Sequence, residues 1–223
     1  MNNNFSYPEP SNQKAFPIAT TGYPLISAAA FTTAVFALLE LTFPALLSLA
    51  ITFFICYFFR DPERVVPNAE GVVVSPADGK IIKAETIDAN PFFEERCFKI
   101  SIFMSVFNVH VNRIPHEGKV TGIRYFPGKF FSANLDKASK DNEQNAIFIE
   151  MPDGKKLCTV QIAGLIARRI ICNLQEGETV IRGKRFGMIC FGSRLDVYLP
   201  ADVKPNVVIG DKVKAGTTIL AYL

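Results

Sequence analysis

The sequence lacks a strong charge of either sign, and it lacks the cysteine spacing of a metal or disulfide scaffold. Its 24 lysines and arginines against 21 aspartates and glutamates leave a net charge of only +3. That balance argues against a nucleic-acid-binding protein, which normally carries a clustered basic face, but it allows local attraction to anionic lipid headgroups. The five cysteines form no C-x-x-C pair, so neither a zinc cage nor a disulfide framework is predicted. We expect reduced, mostly buried thiols in a cytosol-facing domain.

Histidine is scarce as well, whereas apolar residues are abundant. Only His110 and His116 are present, so chemistry that needs an imidazole has two candidates. Hydrophobic residues make up 49% of the chain and charged residues 20%, which excludes a disordered or collagen-like protein. The mean hydropathy of +0.20 is high for a purely soluble domain. The 223 residues suffice for one substantial domain or two small ones.

The N-terminal quarter of the chain divides into a polar lead and a long apolar run. Residues 1–23 are polar and proline-rich, which predicts a disordered or loosely packed lead, and they lack the basic start of a signal peptide. Residues 24–59 contain a single charge, Glu40. Glu40 and Pro44 divide this run into halves, Leu25 to Leu39 and Ala45 to Phe59, each shorter than the ~20 residues of a standard span. A membrane-associated helical hairpin is favoured, and a buried helical pair is the alternative.

The charges that flank the apolar run predict its orientation. A hairpin returns both of its ends to one side of the membrane. Lys14, Arg60 and Arg64 lie beside those ends, and the positive-inside rule then places residues 60–223 on the cytoplasmic face of the cell membrane.

Residues 60–223 have the pattern of a β-rich domain. Short runs of valine, isoleucine, phenylalanine and threonine alternate with turn signals such as Ala77-Asp78-Gly79. The best helical candidate runs from Gly164 to Leu174. Two segments, Val72 to Lys83 and Val207 to Leu220, each consist of a strand, a sharp glycine turn and another strand, and the second resembles a half-motif of lipoyl carrier domains. We therefore predict an α+β, β-rich fold with a barrel- or sandwich-like catalytic domain and partial lipoyl-like hairpins.

The dipeptide Gly192-Ser193 is the most informative string for chemistry. A serine hydroxyl can attack the carbonyl carbon of the preceding residue and convert the amide into an ester, provided that a base removes its proton and the oxyanion is stabilised. Glycine favours this step because it has no side chain to obstruct the attack and tolerates unusual dihedral angles. Alone, the dipeptide is equally compatible with an ordinary turn.

Four motifs in order carry a resemblance to a known family. They are SPADGK from Ser75, FMSVFNVHVNRIP from Phe103, PGKFFSANLDKASKDNEQNA from Pro127, and the FGSR that contains Gly192 and Ser193. Together they resemble the phosphatidylserine decarboxylases, in their short bacterial and archaeal form. The resemblance spans residues 60–223 and extends in character to the apolar N-terminal segment.

The resemblance implies a proenzyme that cleaves itself between Gly192 and Ser193. Residues 1–192 would become the β chain and residues 193–223 the α chain, with Ser193 converted to a covalent pyruvoyl cofactor. The substrate amine would form a Schiff base with that group, which takes up the electron pair when CO2 leaves phosphatidylserine and so leads to phosphatidylethanolamine. Neither a metal nor pyridoxal phosphate is implied. The expected partners are phosphatidylserine in the membrane and the two chains themselves, with a homo-oligomer as one candidate assembly and no nucleic acid.

Site residues follow from the same resemblance. Asp78 and His110 are expected to be catalytic together with Ser193, as members of an Asp-His-Ser triad. Arg113 stands where the longer family members have a second histidine, so His110 would serve both steps, or Arg113 would bind the carboxylate or phosphate of the substrate.

Other residues are expected to have supporting or structural roles. Arg194 is either an exposed charge at the start of a strand or a substrate-binding residue that attracts the headgroup. His116 is expected to be structural or exposed. The expected lining of the headgroup pocket consists of Phe130, Phe131, Ser132 and Asn134. Lys129 and Lys137 are compatible with a solvated edge.

Two alternatives compete with this interpretation. One is a pyruvoyl-dependent decarboxylase of a soluble amino acid, against which the membrane segment counts. The other is a non-catalytic, membrane-tethered lipoyl-like adaptor, which leaves the FGSR and FNVHVNR motifs unexplained. Substitution of Ser193 separates the last alternative, because an adaptor would be indifferent to it.

Overall fold

The computed structural model describes residues 17–88, 90–132, 141–165, 169–190 and 192–223. A 3-10 turn at Thr20–Gly22 leads into helix α1, Tyr23–Leu38, and helix α2 covers Thr42–Phe58. Fourteen strands follow in the described residues: β1 Val72–Val74, β2 Gly79–Ile87, β3 Cys97–Met104, β4 Val111–Arg113, β5 Gly118–Phe126, β6 Gln144–Glu150, β7 Lys156–Ala163, β8 Ile170–Cys172, β9 Thr179–Val180, β10 Arg185–Ile189, β11 Ser193–Pro200, β12 Lys204–Pro205, β13 Lys212–Val213 and β14 Ile219–Tyr222.

The two helices form the predicted hairpin, with one change in its bounds. The chain reverses at Glu40, whose φ is 57°. Pro44 does not bound the second half, because it lies in the first turn of α2, where a proline has no intrahelical hydrogen bond to lose. The hydroxyl oxygens of Thr33 and Thr52, 3.2 Å apart, join the two helices midway.

Most of the hairpin projects away from the domain. Residues Thr20–Leu38 form a helix that is long and apolar enough to cross a membrane, and only 6% of it is buried. Only the base of the hairpin is covered, where Ile55, Phe58 and Phe59 pack with Met188. This exposure contradicts the alternative of a helical pair buried on the domain, since a buried pair would have lost its apolar surface to protein contacts.

The last residues of the predicted polar lead are bonded to the rest of the chain. Residues 17–22 are fastened to the end of the hairpin: the N–H of Ala19 donates to the Phe59 carbonyl at 2.7 Å, and the N–H of Asp61 donates to the Pro17 carbonyl at 2.7 Å. Gly22 lies so close to the Phe59 ring that a Cβ at this position would be 2.5 Å from it. Backbone hydrogen bonds therefore order this part of the lead.

The described strands pair antiparallel in three sheets. The largest has eight strands in the order β13-β2-β3-β11-β7-β6-β5-β9 and curls into a half-barrel, while β1-β14-β12 and β4-β10-β8 form two small sheets. The β-rich fold class is thus confirmed. The two segments compared in the sequence pair with each other, β1 with β14 and β2 with β13.

The helix predicted from Gly164 to Leu174 is wrong for the described part of that segment. Ile170–Cys172 is strand β8, which pairs antiparallel with β10. Its β-branched residues suit an extended backbone better than a helix. Residues 166–168 lie outside the described residues.

Both faces of the eight-stranded sheet are buried at its central strand, β11. Leu195, Val197 and Leu199 of β11 face the main core, whereas Tyr198 faces a second, smaller cluster. Because side chains alternate along a strand, β11 presents Ser193 to the first face and Arg194 to the second. This alternation decides what each of the two residues can contact.

Candidate active site

Ser193 begins the central strand of the large sheet. Strand β11 pairs with β3 on one side and β7 on the other, with Ser193 opposite Met104 and Ala163. The Ser193 side chain is fully buried, and its hydroxyl donates a hydrogen bond to the Met104 sulfur at 3.3 Å. The reactive position is therefore held on both sides by backbone hydrogen bonds.

Gly192 adopts a backbone conformation that favours glycine. Its φ is +71°, in the left-handed region, while a Cβ built on it would meet no atom within 4 Å. The requirement for glycine here is thus conformational and not one of space. Phe191 lies outside the described residues.

The imidazole of His110 lies at the predicted cleavage point. The N–H of Gly192 points to His110 Nε2 at 3.4 Å, and His110 Nδ1 lies 2.9 Å from the Asn108 carbonyl oxygen. The hydrogen-bond pattern assigns the proton to Nδ1 and leaves a lone pair on Nε2. Burial, helped by the neighbouring positive charge of Arg60 and opposed by the hydrogen bond to the Asn108 carbonyl, lowers the pKa of His110 to about 4. The ring is therefore a neutral base at neutral pH.

Asp78 lies at the same end of the sheet but contacts other residues. Lys80 of β2 pairs with Phe103 of β3, which in turn pairs with Arg194 of β11. Asp78 precedes Lys80 by two residues, as Gly192 precedes Arg194. This register places Asp78 two strand spacings, roughly 10 Å, from the Gly192-Ser193 bond. One carboxylate oxygen accepts from Arg64 at 2.8 Å and the other accepts from the N–H of Ala215 at 2.8 Å. The structure brings His110 and Gly192 together, and within the described residues no hydrogen bond joins His110 to the Asp78 carboxylate.

The guanidinium of Arg113 is bonded to other residues of the protein. Its Nη1 donates to the Gly183 carbonyl at 3.0 Å, and its Nη2 donates to the Pro62 carbonyl at 3.0 Å and lies 3.4 Å from an Asp61 carboxylate oxygen. The side chain is buried, and burial lowers its pKa. These contacts fasten the segment after the hairpin to β4, so the proposed substrate-binding role of Arg113 would require them to break.

Arg194 is neither an exposed charge nor turned toward Ser193. Its guanidinium is fully buried on the opposite face, with Nε 2.6 Å and Nη2 2.8 Å from the two carboxylate oxygens of Asp196. Nη2 also donates to the Ser101 hydroxyl at 3.2 Å, and Lys99 lies 3.1 Å from Asp196. The alternative of an exposed charge is therefore wrong, and the expected headgroup contact gains no support from this geometry, because the alternation of the strand directs the side chain away from Ser193.

The expected pocket residues are only partly described. Phe130 packs against the buried cluster of Ile189 and Ala163, the latter being the strand partner of Ser193, which supports its place near the site. Phe131 is 37% exposed, and its backbone N–H and carbonyl both bond the side chain of Asn142. Lys129 lies 6.0 Å from the Phe131 ring. Asn134 and Lys137 lie outside the described residues.

Sequence reasoning missed several residues around the site. Phe58, at the end of the hairpin, packs on the His110 ring. A buried amide network lies behind the site: Gln161 donates to Asn112 at 2.9 Å and accepts from Asn145 at 3.1 Å. Polar residues within otherwise apolar strand runs were the available signal for this network.

His116 is buried and its Nδ1 lies 2.8 Å from the Glu117 carbonyl oxygen, as suits a structural histidine.

A large cleft lies elsewhere. It has a volume of about 2500 Å³ and is lined by residues such as Asp61, Arg113 and Arg185, but neither Ser193 nor His110 lines it. Ser193 instead lies in the packed interior. A fully buried hydroxyl is better placed to contact its own backbone than to meet a water-soluble substrate directly.

Comparison with known proteins identifies the class of protein. The family model for phosphatidylserine decarboxylase matches residues 51–221. Proteins named phosphatidylserine decarboxylase proenzyme are 55% identical in Syntrophus aciditrophicus (91% of this chain, 96% of the relative) and 52% identical in Oleidesulfovibrio alaskensis (92% and 93%). A third, from Desulfotalea psychrophila, is 50% identical over 95% of this chain and 99% of its own length. This chain belongs to the phosphatidylserine decarboxylase family.

Proenzymes of this family use a pyruvoyl group derived from a serine of their own chain. The residues at the start of β11 fit such a group. Ser193 follows a glycine in a left-handed conformation, its side chain is excluded from solvent, and a neutral imidazole lies beside the preceding residue. A ketone in this place would be shielded from water and held by the central strand.

Proposed function

We propose that the chain is a self-cleaving proenzyme that decarboxylates phosphatidylserine to phosphatidylethanolamine, with a pyruvoyl group formed from Ser193. The observation that carries the assignment of residues is the juxtaposition of His110 Nε2 with Gly192, immediately before a buried serine. The names of the relatives favour this substrate over a soluble amino acid. The non-catalytic adaptor does not account for a buried neutral histidine beside Gly192.

Self-cleavage begins when the Ser193 hydroxyl turns from the Met104 sulfur to the Gly192 carbonyl carbon. His110 Nε2 takes the hydroxyl proton, the carbon–nitrogen bond breaks, and the Gly192 acyl group passes to the oxygen as an ester while the Ser193 nitrogen becomes an amine. Loss of the Ser193 Cα proton then expels residues 1–192 as a carboxylate and leaves dehydroalanine. Addition of water and loss of ammonia complete the pyruvoyl group on residues 193–223.

The remaining roles belong to groups already present in the site. A pyruvoyl group held at the start of β11 would supply a ketone for the substrate amine and an acceptor for the electron pair left by CO2. His110 Nε2 is the proposed carrier of the proton that replaces CO2. Asp78 is the proposed third catalytic residue of self-cleavage, supported by its position at the same sheet end. The substrate-binding role of Phe131 is supported by the neighbouring Phe130, which packs beside the strand partner of Ser193.

The organisation of the chain supports a membrane substrate. We assign residues 1–23 to a lead, 24–59 to a membrane-associated hairpin and 60–223 to the catalytic domain on the cytoplasmic face. Helix α2, 17 residues long, measures about 25 Å at 1.5 Å per residue and is short for a full crossing, so the pair suits a re-entrant hairpin even though Thr20–Leu38 alone is long enough to cross. The pairing of β1 with β14 and β2 with β13 supports the lipoyl-like comparison.

The intact mass of the purified protein under denaturing conditions tests the proposal. The wild type should give two chains, 1–192 and 193–223, the smaller lighter by one ammonia than a peptide that begins with serine. Ser193→Ala should remain one full-length chain without activity. Active wild-type protein that remains one uncut chain would end the pyruvoyl assignment, and cleaved Ser193→Ala protein would end the assignment to Ser193.

A further inference from the structure

The loop between β3 and β4 lies against the end of the apolar hairpin. Phe107, in the middle of this loop, meets the Phe54 ring edge-on at a centroid distance of 6.5 Å. Its carbonyl oxygen accepts hydrogen bonds from the Tyr57 hydroxyl at 3.2 Å and from Arg60 Nη2 at 2.7 Å. The last turns of α2 and this loop are thus joined by both apolar and polar contacts.

Phe107 remains exposed in spite of these contacts. Its side chain is 65% exposed, next to α2 residues that are also open: Phe53 at 66%, Phe54 at 40% and Tyr57 at 47%. The apolar surface of the hairpin therefore continues onto the catalytic domain through Phe107. Tyr57 and Arg60 lie where this surface ends, with the Arg60 guanidinium 3.8 Å from the centre of the Tyr57 ring. An aromatic residue and an arginine in this arrangement are typical of a membrane–water interface.

The same loop carries the histidine of the site. The Asn108 side chain accepts hydrogen bonds from the Ser105 N–H at 2.9 Å and the Ser105 hydroxyl at 2.8 Å, which makes the loop rigid. The Asn108 carbonyl oxygen orients His110, and His110 in turn reaches Gly192. A short, internally bonded segment therefore joins the exposed Phe107 ring to the reactive bond.

We propose that Phe107 is a second membrane contact, inserted at the headgroup level beside the hairpin, and that it sets the height of the His110–Ser193 site above the bilayer. The occupant of the surface is the lipid bilayer, because the surface is continuous with the apolar hairpin and is bordered by Arg60, which suits anionic headgroups. The inference rests on the proposed membrane-associated function. The proposal identifies the loop between β3 and β4 as the part of the domain that would bring the buried site to a lipid headgroup.

Single tryptophans test the contact, since the chain has none of its own. Phe107→Trp would report on the loop, and Phe53→Trp on the hairpin. Tyr125→Trp is the matched control, because Tyr125 is an aromatic residue of similar exposure, 57%, on strand β5. Each full-length protein would be reconstituted in vesicles of phosphatidylcholine and phosphatidylglycerol that carry bromine on the acyl chain, near the glycerol or near the terminal methyl.

We expect the Phe107→Trp emission to shift to the blue and to be quenched mainly by bromine near the glycerol. The Tyr125→Trp emission should be insensitive to bromine and should instead be quenched by acrylamide in the water. A Phe107→Trp emission that behaves like that of Tyr125→Trp would overturn the proposal. Cleavage into two chains, followed on the same samples, shows that each variant folds and keeps failure of the proposed function distinguishable from failure of the membrane contact.

A second variant gives an independent readout. Phe107→Ser should raise the KM for phosphatidylserine in vesicles and leave kcat/KM unchanged for a short-chain phosphatidylserine dissolved as monomers. Equal losses of kcat/KM on the vesicle and monomeric substrates would contradict a membrane role of Phe107 and indicate damage to the site itself.

Discussion

The ring of Phe58, the last residue of α2, lies 4.3 Å from the ring of His110, with the two planes tilted by 33°. Phe58 is fully buried, so the end of the hairpin forms one wall of the site. The helical pair is therefore more than a tether. Its last turn excludes water from the imidazole, and this desolvation lowers the pKa of His110.

Replacement of Phe58 by alanine should open that wall. We expect the pKa of His110 to rise from about 4 toward its ordinary 6.5, because water would reach the ring. The cavity should cost about 3 to 5 kcal/mol of stability. NMR titration of the imidazole signals in detergent-solubilised Ser193→Ala protein measures the first effect and thermal unfolding the second. Phe53→Ala, at a position 66% exposed on the same helix, should change neither.

The buried histidine predicts a pH dependence of stability. Because its pKa is lower in the folded chain than in the unfolded chain, the unfolded chain binds more protons between the two values. Stability should therefore be complete above about pH 6.5 and decline as the pH falls toward 4, by about 3 kcal/mol in total. Thermal unfolding from pH 8 to pH 4 measures this slope. If the imidazole instead titrates near its ordinary pKa, wild type and His110→Gln should show the same pH dependence of stability.

Asp78 offers a direct comparison between a catalytic carboxylate and a residue that merely shapes a turn. Asp78→Asn keeps an oxygen for the Ala215 N–H but removes the charge, whereas Arg64→Gln leaves the carboxylate and removes its ion pair. If Asp78 acts in self-cleavage, Asp78→Asn should remain uncut and Arg64→Gln should still cleave. Time courses of chain cleavage after cell-free synthesis separate the two. Normal cleavage of Asp78→Asn would leave only the turn-shaping role.

Much of the fold was predictable because its causes are local. The apolar run, divided at Glu40 and Pro44, predicted the hairpin, and the alternating runs predicted a β-rich domain. Ile170–Cys172 was assigned to a helix because its pairing with β10 is a contact between distant residues, which short-range pattern does not contain. The β-branched residues were the signal that should have carried more weight.

The candidate site was predictable only in part. Motif order singled out Gly192, Ser193 and His110, which lie together in the structure, but it did not indicate Phe58, since nothing local in the sequence places the end of a hairpin on a histidine 52 positions away. The orientation of Arg194 could have been predicted from the sequence. In the strand Ser193-Arg194-Leu195, side chains alternate between the two faces of the sheet, so the arginine lies on the face opposite to that of the serine.

Strand β11 would be held to the rest of the protein after cleavage by charges as well as by its two neighbouring strands. Asp196 would then belong to residues 193–223, while Lys99, 3.1 Å from it, and Ser101, which bonds Arg194, would belong to residues 1–192. Asp196→Asn would leave Arg194 and Lys99 buried with weakened pairing, which costs about 3 to 5 kcal/mol.

We therefore expect Asp196→Asn to release the smaller chain at a lower urea concentration than wild type. The matched control is Asp202→Asn, which removes another pair between the same two chains, that of Asp202 with Lys155 at 3.0 Å. Because the Asp202 side chain is 67% exposed, water and salt screen its charge, and its loss should leave the release unchanged. Size-exclusion chromatography in increasing urea measures the release. Equal effects of the two substitutions would show that strand pairing alone retains the smaller chain.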